Sequence, residues 1–345
     1  MTSALEYSVT DRSLLLPHYK RFFVEPVLPA IPTRLSPNAI TLAGHLLSLA
    51  ALGLLLRADI LDRGAPFFVV ALLLNAYLWC DNADGSHARR TNQCSATGEF
   101  LDHGLDLLNA TYVAVMTIVA LGAPPFWSVA AAVIVPAAAA VTYWEQAETG
   151  VFQLGMFNQI ESIACLTIVL VGRGLFGIAA IDGVRIGPVT LPVALLAFTT
   201  AVASAGILHS VFRVARKRGR LVPFVAPLAF GLAIALATAT GALAAILAGS
   251  AVFIFLGVRQ LILRVRHEKP LTEHGVLVAA AFLGALASAP LVARALEKPI
   301  VLAFVAAFGG LAVIRFAQAH RLVGRLDRSS SAPRSAHPRS AGRPR

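Results

Sequence analysis

Ten stretches of the chain are apolar over lengths that cross, or nearly cross, a bilayer, and this pattern restricts the fold more than any other feature. They cover residues 39–56, 66–80, 100–121, 125–144, 156–172, 189–211, 222–240, 243–263, 275–293 and 299–317. Lipid offers no water to satisfy backbone N–H and C=O groups, so runs of this kind persist only as helices bonded within themselves. Composition agrees: of 345 residues, 57% are hydrophobic and only 14% charged, unlike a soluble domain. The expected fold is all-α, a polytopic membrane helix bundle of about ten transmembrane helices. The second stretch is short, but no helix breaker precedes Gly85, so its helix is expected to run on into the polar segment that follows.

Charge sets the orientation. With the N-terminus placed inside, 23 of the 29 Lys and Arg fall on inner segments, a bias that places both the N-terminus and the C-terminus on the cytoplasmic side. The net charge of +11 is then a property of loops facing anionic lipid, and nucleic acid is not an expected partner. The inner segment 145–155 carries no basic residue, and its Glu145 and Glu148 are expected near the same face as the polar segment. Four regions follow: a cytoplasmic or interfacial segment 1–38, catalytic helices 39–214, additional C-terminal helices 215–317, and a basic disordered tail 318–345 of Ser, Pro and Arg. Residues 1–38 lack the order of a cleavable signal peptide. Within them "RSLLLPHYKRFFVEPVLPAIP" reads either as an interfacial helix or as a linker broken by its prolines. Cys80, Cys94 and Cys165 are far apart and read as free thiols.

Between the second and third stretches lie Asp81, Asp84, Asp102 and Asp106. An aspartate in a spanning helix costs about 2.5–3.5 kcal/mol even on a lenient scale, so four together need a reason. Spacings of three and four residues put each pair on one helix face, and a turn region over 89–97 brings the two faces together. Four carboxylates in one pocket repel one another unless cations neutralise them. An all-oxygen donor set suits Mg²⁺ or Mn²⁺, and two such ions can grip a diphosphate. Gly85 and Gly98 permit close backbone approach, and Arg89 is placed to fork onto phosphate oxygens. Two other classes of protein also use intramembrane acids. Acids of a cation or proton pathway would be spread through the membrane depth, whereas these gather near one face. Intramembrane prenyltransferases place their two Asp motifs far apart in the chain, and here they are close.

Asp81, Asp84, Gly85, Ala88, Arg89, Gly98, Asp102 and Asp106 fit D-x2-D-G-x2-A-R-x8-G-x3-D-x3-D, which resembles the signature of the CDP-alcohol phosphotransferase family. "LSPNAITLAG", "ARRTNQCSATGEFLDHGLD" and "YWEQAETGVFQLGMFNQIES" resemble its choline/ethanolamine phosphotransferase branch, over about residues 14–165. The resemblance implies transfer of phosphocholine or phosphoethanolamine from CDP-choline or CDP-ethanolamine to diacylglycerol in phospholipid biosynthesis, with release of CMP. It implies two divalent ions held by Asp81, Asp84, Asp102 and Asp106, and a site on the cytoplasmic face of a multi-pass membrane protein. It also implies that His103 is the base that deprotonates the acceptor, that Glu161 raises its basicity, and that Asp106 is the base if His103 is not. Asn38, Gly85, Ala88, Arg89, Gly98 and Glu99 are implied in donor binding. Beside these roles stand ordinary ones: His103 as a structural histidine, Glu161 as a helix-end acid in water, Asn38 as a helix cap, and Glu99 as a first-turn acid. Tyr77, Trp79, Tyr143 and Trp144 read either as an ammonium pocket or, more commonly, as an interfacial belt. The wider family's phosphatidyl transfer from CDP-diacylglycerol to a polar alcohol is the alternative reaction, and a cation transporter the alternative class. A homodimer is expected from the resemblance alone.

Overall fold

Helix boundaries follow local chemistry closely. The computed structural model describes residues 8–57, 64–122 and 124–217, with isolated positions among 219–228 and 310–324. Six helices among the described residues are long and apolar enough to cross a membrane: α2 (Pro37–Leu55), α3 (Gly64–Thr91), α4 (Ala96–Leu121), α5 (Pro125–Thr149), α6 (Gln159–Phe176) and α8 (Leu191–Arg216). Prolines open α2 and α5, where the missing N–H costs nothing. Ser95 caps α4 by accepting from the Gly98 amide at 3.0 Å. Gly122 and Gly150 close α4 and α5 in the left-handed region, at φ 59° and 74°, where a Cβ would be strained. The expected spans seven to ten, and the tail 318–345 apart from isolated positions, lie outside the described residues.

The helix expected to run past residue 80 does so, as one 28-residue helix that ends at Thr91, and the turn to α4 is only residues 92–95. The aspartates therefore sit on two long helices rather than on short segments. Helix α3 is central, packed on α2 and α6, while α5 packs on α4 and α8. Phe67, Val70, Leu74, Tyr77, Met116, Ile163 and Leu170 form the main apolar core. Where α2 crosses α3, a Cβ on Gly44 would lie 2.8 Å from the Cys80 Cβ, so glycine sets that approach.

In four places the structure departs from the sequence expectations or decides between them. The fold is mostly helical but not purely so: β1 (Ser8–Asp11) pairs in parallel with β2 (Val151–Leu154), and after the short helix α7 (Ile178–Gly183) β3 (Arg185–Ile186) pairs with β4 (Val189–Thr190). Residues before α2 form no single interfacial helix. They run from β1 through the one-turn α1 (Leu16–Tyr19) into a π turn, Lys20–Val24, and a 3₁₀ turn, Leu28–Ala30. Glu145 and Glu148 are not in a loop, because α5 continues to Thr149, and Glu145 is fully buried against Arg213 of α8. Tyr77, Tyr143 and Trp144 are buried and form no interfacial belt, Trp144 stacking on Phe224 with centroids 5.0 Å apart. Of that set only Trp79 stays partly open, donating its indole N–H to the Phe23 carbonyl at 2.9 Å. Four spanning helices separate β1 from β2, and an even number returns the chain to the side on which it began.

Candidate active site

Helices α3 and α4 run antiparallel through their short turn, so the C-terminal part of one faces the N-terminal part of the other. Their aspartates converge: one carboxylate oxygen each from Asp81, Asp102 and Asp106 lie within 4.8 Å of one another. Asp81 hydrogen-bonds with Asp106 and with Gln159 at the start of α6. Gln159 also donates to the Tyr77 hydroxyl at 2.6 Å, one turn before Asp81. Asp84 is held from the other side, its Oδ2 accepting the Thr41 hydroxyl of α2 at 2.5 Å and its Oδ1 facing the Gly85 amide. Three oxygen donors so close, with a fourth carboxylate on the next turn, match the demand of a hard divalent cation for oxygen ligands. Among the described residues, neither a thiol nor an imidazole enters the cluster.

The rim carries the candidate donor-binding residues. Arg89 is exposed and lies over Gly85, where a Cβ would stand 3.4 Å from its Nη1. Gly98 is tighter still: a Cβ there would lie 2.9 Å from the Asn38 Oδ1 and 3.1 Å from the Ser95 Oγ. Ser36, not Asn38, takes the N-cap position of α2, so the amide of Asn38 is turned toward α4 instead of its own helix end. Glu99 occupies the first turn of α4, and Ala88 is buried. From the segment before α2, Lys20 and Tyr19 come within electrostatic reach of Asp81. Burial, then the charges of Asp81 and Cys80, push the Tyr19 hydroxyl up to about 12, so it is a hydrogen-bond donor at neutral pH.

His103 follows Asp102 on α4 but points to a different wall. It is buried, stacked on Phe152 of β2 with centroids 5.6 Å apart and tilted against Tyr143 of α5 at 5.5 Å. Glu161 is buried too, not a helix-end acid in water. Its Oε1 accepts from the Ser13 hydroxyl at 2.6 Å and the Leu15 amide at 3.0 Å, and its Oε2 from the Asn158 amide at 3.0 Å, completing a capping box on α6. The carboxylate thus ties the N-terminal segment to α6. His87, given no role from sequence, is buried and bonded to the Leu35 carbonyl at 2.9 Å, pinning the same segment to α3. Thr41, Gln159, Phe152 and Ser13 were also missed.

A profile of the CDP-alcohol phosphatidyltransferase family matches residues 34–256, which takes in all four aspartates, His103 and Glu161. This chain belongs to that family. Among its relatives, the cholinephosphotransferase 1 of Gallus gallus is 32% identical over 182 residues, 51% of this chain and 54% of the relative. The Homo sapiens cholinephosphotransferase 1 is 31% identical over 193 residues, 54% of this chain and 46% of the relative. An uncharacterized class-I family protein of Dictyostelium discoideum is 30% identical over 176 residues, 50% of this chain and 43% of the relative. The matched stretch spans about half the length of these relatives. Membership explains why the family motif and the carboxylate cluster coincide on α3 and α4.

Proposed function

We propose that this protein transfers phosphocholine or phosphoethanolamine from a CDP-alcohol to diacylglycerol and releases CMP. The observation that carries the reading is the convergence of Asp81, Asp102 and Asp106 within 4.8 Å, at one end of two helices that otherwise run through apolar surroundings. When bound at Asp81, Asp84, Asp102 and Asp106, two Mg²⁺ or Mn²⁺ ions supply charge neutralisation to a diphosphate and to the leaving phosphate. Arg89, free of a side chain at Gly85, binds phosphate oxygens, while Asn38, Gly98 and Glu99 line the nucleotide end. The acceptor hydroxyl oxygen attacks the phosphorus that bears the alcohol. The new P–O bond forms as the P–O bond to CMP breaks, and the hydroxyl proton passes to a ring nitrogen of His103. The aromatic rings of Phe152 and Tyr143 fix that imidazole and exclude water from it. Glu161 supports the base by holding the N-terminal segment over this wall, and Asp106 stays a metal ligand.

The protein is a ten-span membrane protein with residues 39–214 as its catalytic unit, residues 215–317 as further helices, and its site and both termini on the cytoplasmic face. The inner-side excess of Lys and Arg supports that orientation, and the return of β2 to the side of β1 agrees with it. A homodimer completes the proposal.

The test is CMP formation by purified protein with diacylglycerol and Mg²⁺ or Mn²⁺, with CDP-choline, CDP-ethanolamine and CDP-diacylglycerol plus polar alcohols run in parallel. Metal-dependent CMP from either of the first two is expected. CMP from CDP-diacylglycerol alone reverses the donor assignment, and metal flux in liposomes without any CMP points to a transporter.

A further inference from the structure

The carboxylate cluster has two layers. Asp84 and Asp102 lie toward the turn between α3 and α4, whereas Asp81 and Asp106, which hydrogen-bond to each other, lie one turn deeper. Each layer has its own cation. Arg89 serves the outer one, reaching back over Gly85 beside Asp84. Lys20, to which the transfer reaction proposed above gives no role, borders the inner one through Asp81. It comes from the segment before α2, where the turn Lys20–Val24 is fixed on α3 from both ends. Tyr19 packs against the core that includes Tyr77 and stacks on Phe23 with centroids 5.4 Å apart. The Trp79 indole N–H holds the Phe23 carbonyl at 2.9 Å, and Val24 is fully buried.

The turn is itself of an uncommon kind. The Glu25 amide donates to the Lys20 carbonyl at 2.8 Å, five residues back, and single π turns of this sort occur frequently at functional sites. Lys20 is half-buried, and among the described residues its ammonium has no hydrogen bond or ion pair. A cation so placed is costly unless it is used. Its three donors are committed neither to Asp81 nor to the fold, so they suit an anion lying against the cluster. That anion is the diphosphate, and depth decides which half of it. Asn38, Gly98 and Glu99 put the nucleotide at the outer rim, and the Arg89 Cα lies about 12 Å beyond that of Asp81 along α3. The phosphate joined to cytidine therefore meets Arg89, and the second phosphate meets the inner layer. The positive alcohol group that this phosphate bears is repelled by Lys20 and turns away from it.

We infer that the Lys20 ammonium donates a hydrogen bond to a non-bridging oxygen of the phosphoryl group that is transferred. The inference rests on the reaction proposed above and adds to it a substrate contact from outside the motif. Lys20 offsets negative charge on the phosphoryl oxygens while the bond to the acceptor forms and the bond to CMP breaks. It takes no part in proton transfer, and the acceptor proton still passes to His103. Tethering the N-terminal segment to Asp81 is the competing role, and ligands with one and two phosphates separate the two.

The experiment compares wild type, Lys20→Met, Lys20→Gln and Lys20→Arg at saturating Mg²⁺ or Mn²⁺. It measures CMP release from CDP-choline or CDP-ethanolamine, calorimetric binding of CDP and of CMP, and thermal unfolding. CDP carries both phosphates, and CMP only the one that leaves. Lys20→Met is expected to weaken CDP binding about 10- to 100-fold, the loss of a charged hydrogen bond, with CMP binding within about twofold of wild type. The kcat/KM for the CDP-alcohol should fall by a similar factor, while the KM for diacylglycerol and the unfolding temperature stay at their wild-type values. Lys20→Gln should lie close to Lys20→Met, and Lys20→Arg, which keeps the charge, should recover most of the loss. Arg89→Met, by contrast, should weaken CDP and CMP alike. Equal weakening of CDP and CMP in Lys20→Met, a raised metal midpoint with a lower unfolding temperature, or unchanged CDP binding overturns the phosphoryl contact while leaving the reaction standing. Folded wild type that releases no CMP and binds neither CDP nor CMP overturns both.

Discussion

Replacing Thr41 with Val tests how the cage is held from outside the motif. The Thr41 hydroxyl has one proton and two neighbours, the Pro37 carbonyl at 3.2 Å and the Asp84 Oδ2 at 2.5 Å, and the shorter contact to a carboxylate takes it. Valine keeps the shape and removes the donor. A hydrogen bond to a charged group is worth about 1.5–3 kcal/mol, and each 1.4 kcal/mol is about tenfold in an equilibrium constant. Loss of the groups that orient metal ligands costs about 10- to 100-fold in metal affinity, so two independent estimates agree. In CMP-release assays titrated with Mg²⁺ or Mn²⁺, Thr41→Val is expected to move the activation midpoint up by about 10- to 100-fold, with the rate at saturating metal largely restored. Thr41→Ser, which keeps the hydroxyl, should stay close to wild type. A midpoint within about twofold of wild type in Thr41→Val, or an equal shift in Thr41→Ser, would refute the reasoning.

Asp102→Asn should abolish CMP release yet raise the unfolding temperature in chelator-containing buffer, because it removes one of four mutually repelling carboxylates; a lower temperature would count against the packed cluster. Gly98→Ala places a methyl 2.9 Å from the Asn38 Oδ1, so the donor KM should rise while His103 and its aromatic wall keep their near-ultraviolet circular dichroism. Arg213→Met strands the buried Glu145 carboxylate and should cost about 3–5 kcal/mol in unfolding measurements. Adding Glu145→Gln should return most of that loss, and a double variant as unstable as the single would show that the charge was not the cause.

The aspartate cage was legible because its signal is local. Asp81 and Asp84 share a helix face by spacing alone, as do Asp102 and Asp106, and four residues of turn leave the two faces little choice but to meet. Thr41 and Gln159 left no such signal, since each reaches its aspartate from a helix far away in sequence and neither residue type is unusual where it stands. The small sheet was hidden for a related reason: "SVTD" and "VFQL" are four residues each, too short for a pattern, and their pairing depends on where the helices put them. Tyr143 and Trp144 were misread because α5 runs five residues beyond its expected end, and α8 and Phe224 cover what would have been an interfacial edge. For Glu161 it was the ordinary alternative, an acid in water, that missed the partners. Its capping box was present in "NQIE", but the Ser13 hydroxyl that helps bury it comes from 148 residues earlier in the chain.

The pairing of β1 with β2 fixes an order of assembly. Ser8 aligns with Val151, so the first described strand has no partner until four helices have been synthesised and inserted. At about 5–20 residues per second that delay is roughly seven to thirty seconds. Throughout it the early segment, with its exposed Phe22 and Phe23, must wait on the same side of the membrane. Only when Leu154, Asn158 and Glu161 emerge can Asp11 dock on the first two and Ser13 and Leu15 on the third. The wall of Tyr143 and Phe152 against His103 is therefore completed well after the aspartates of α3 and α4 have been made.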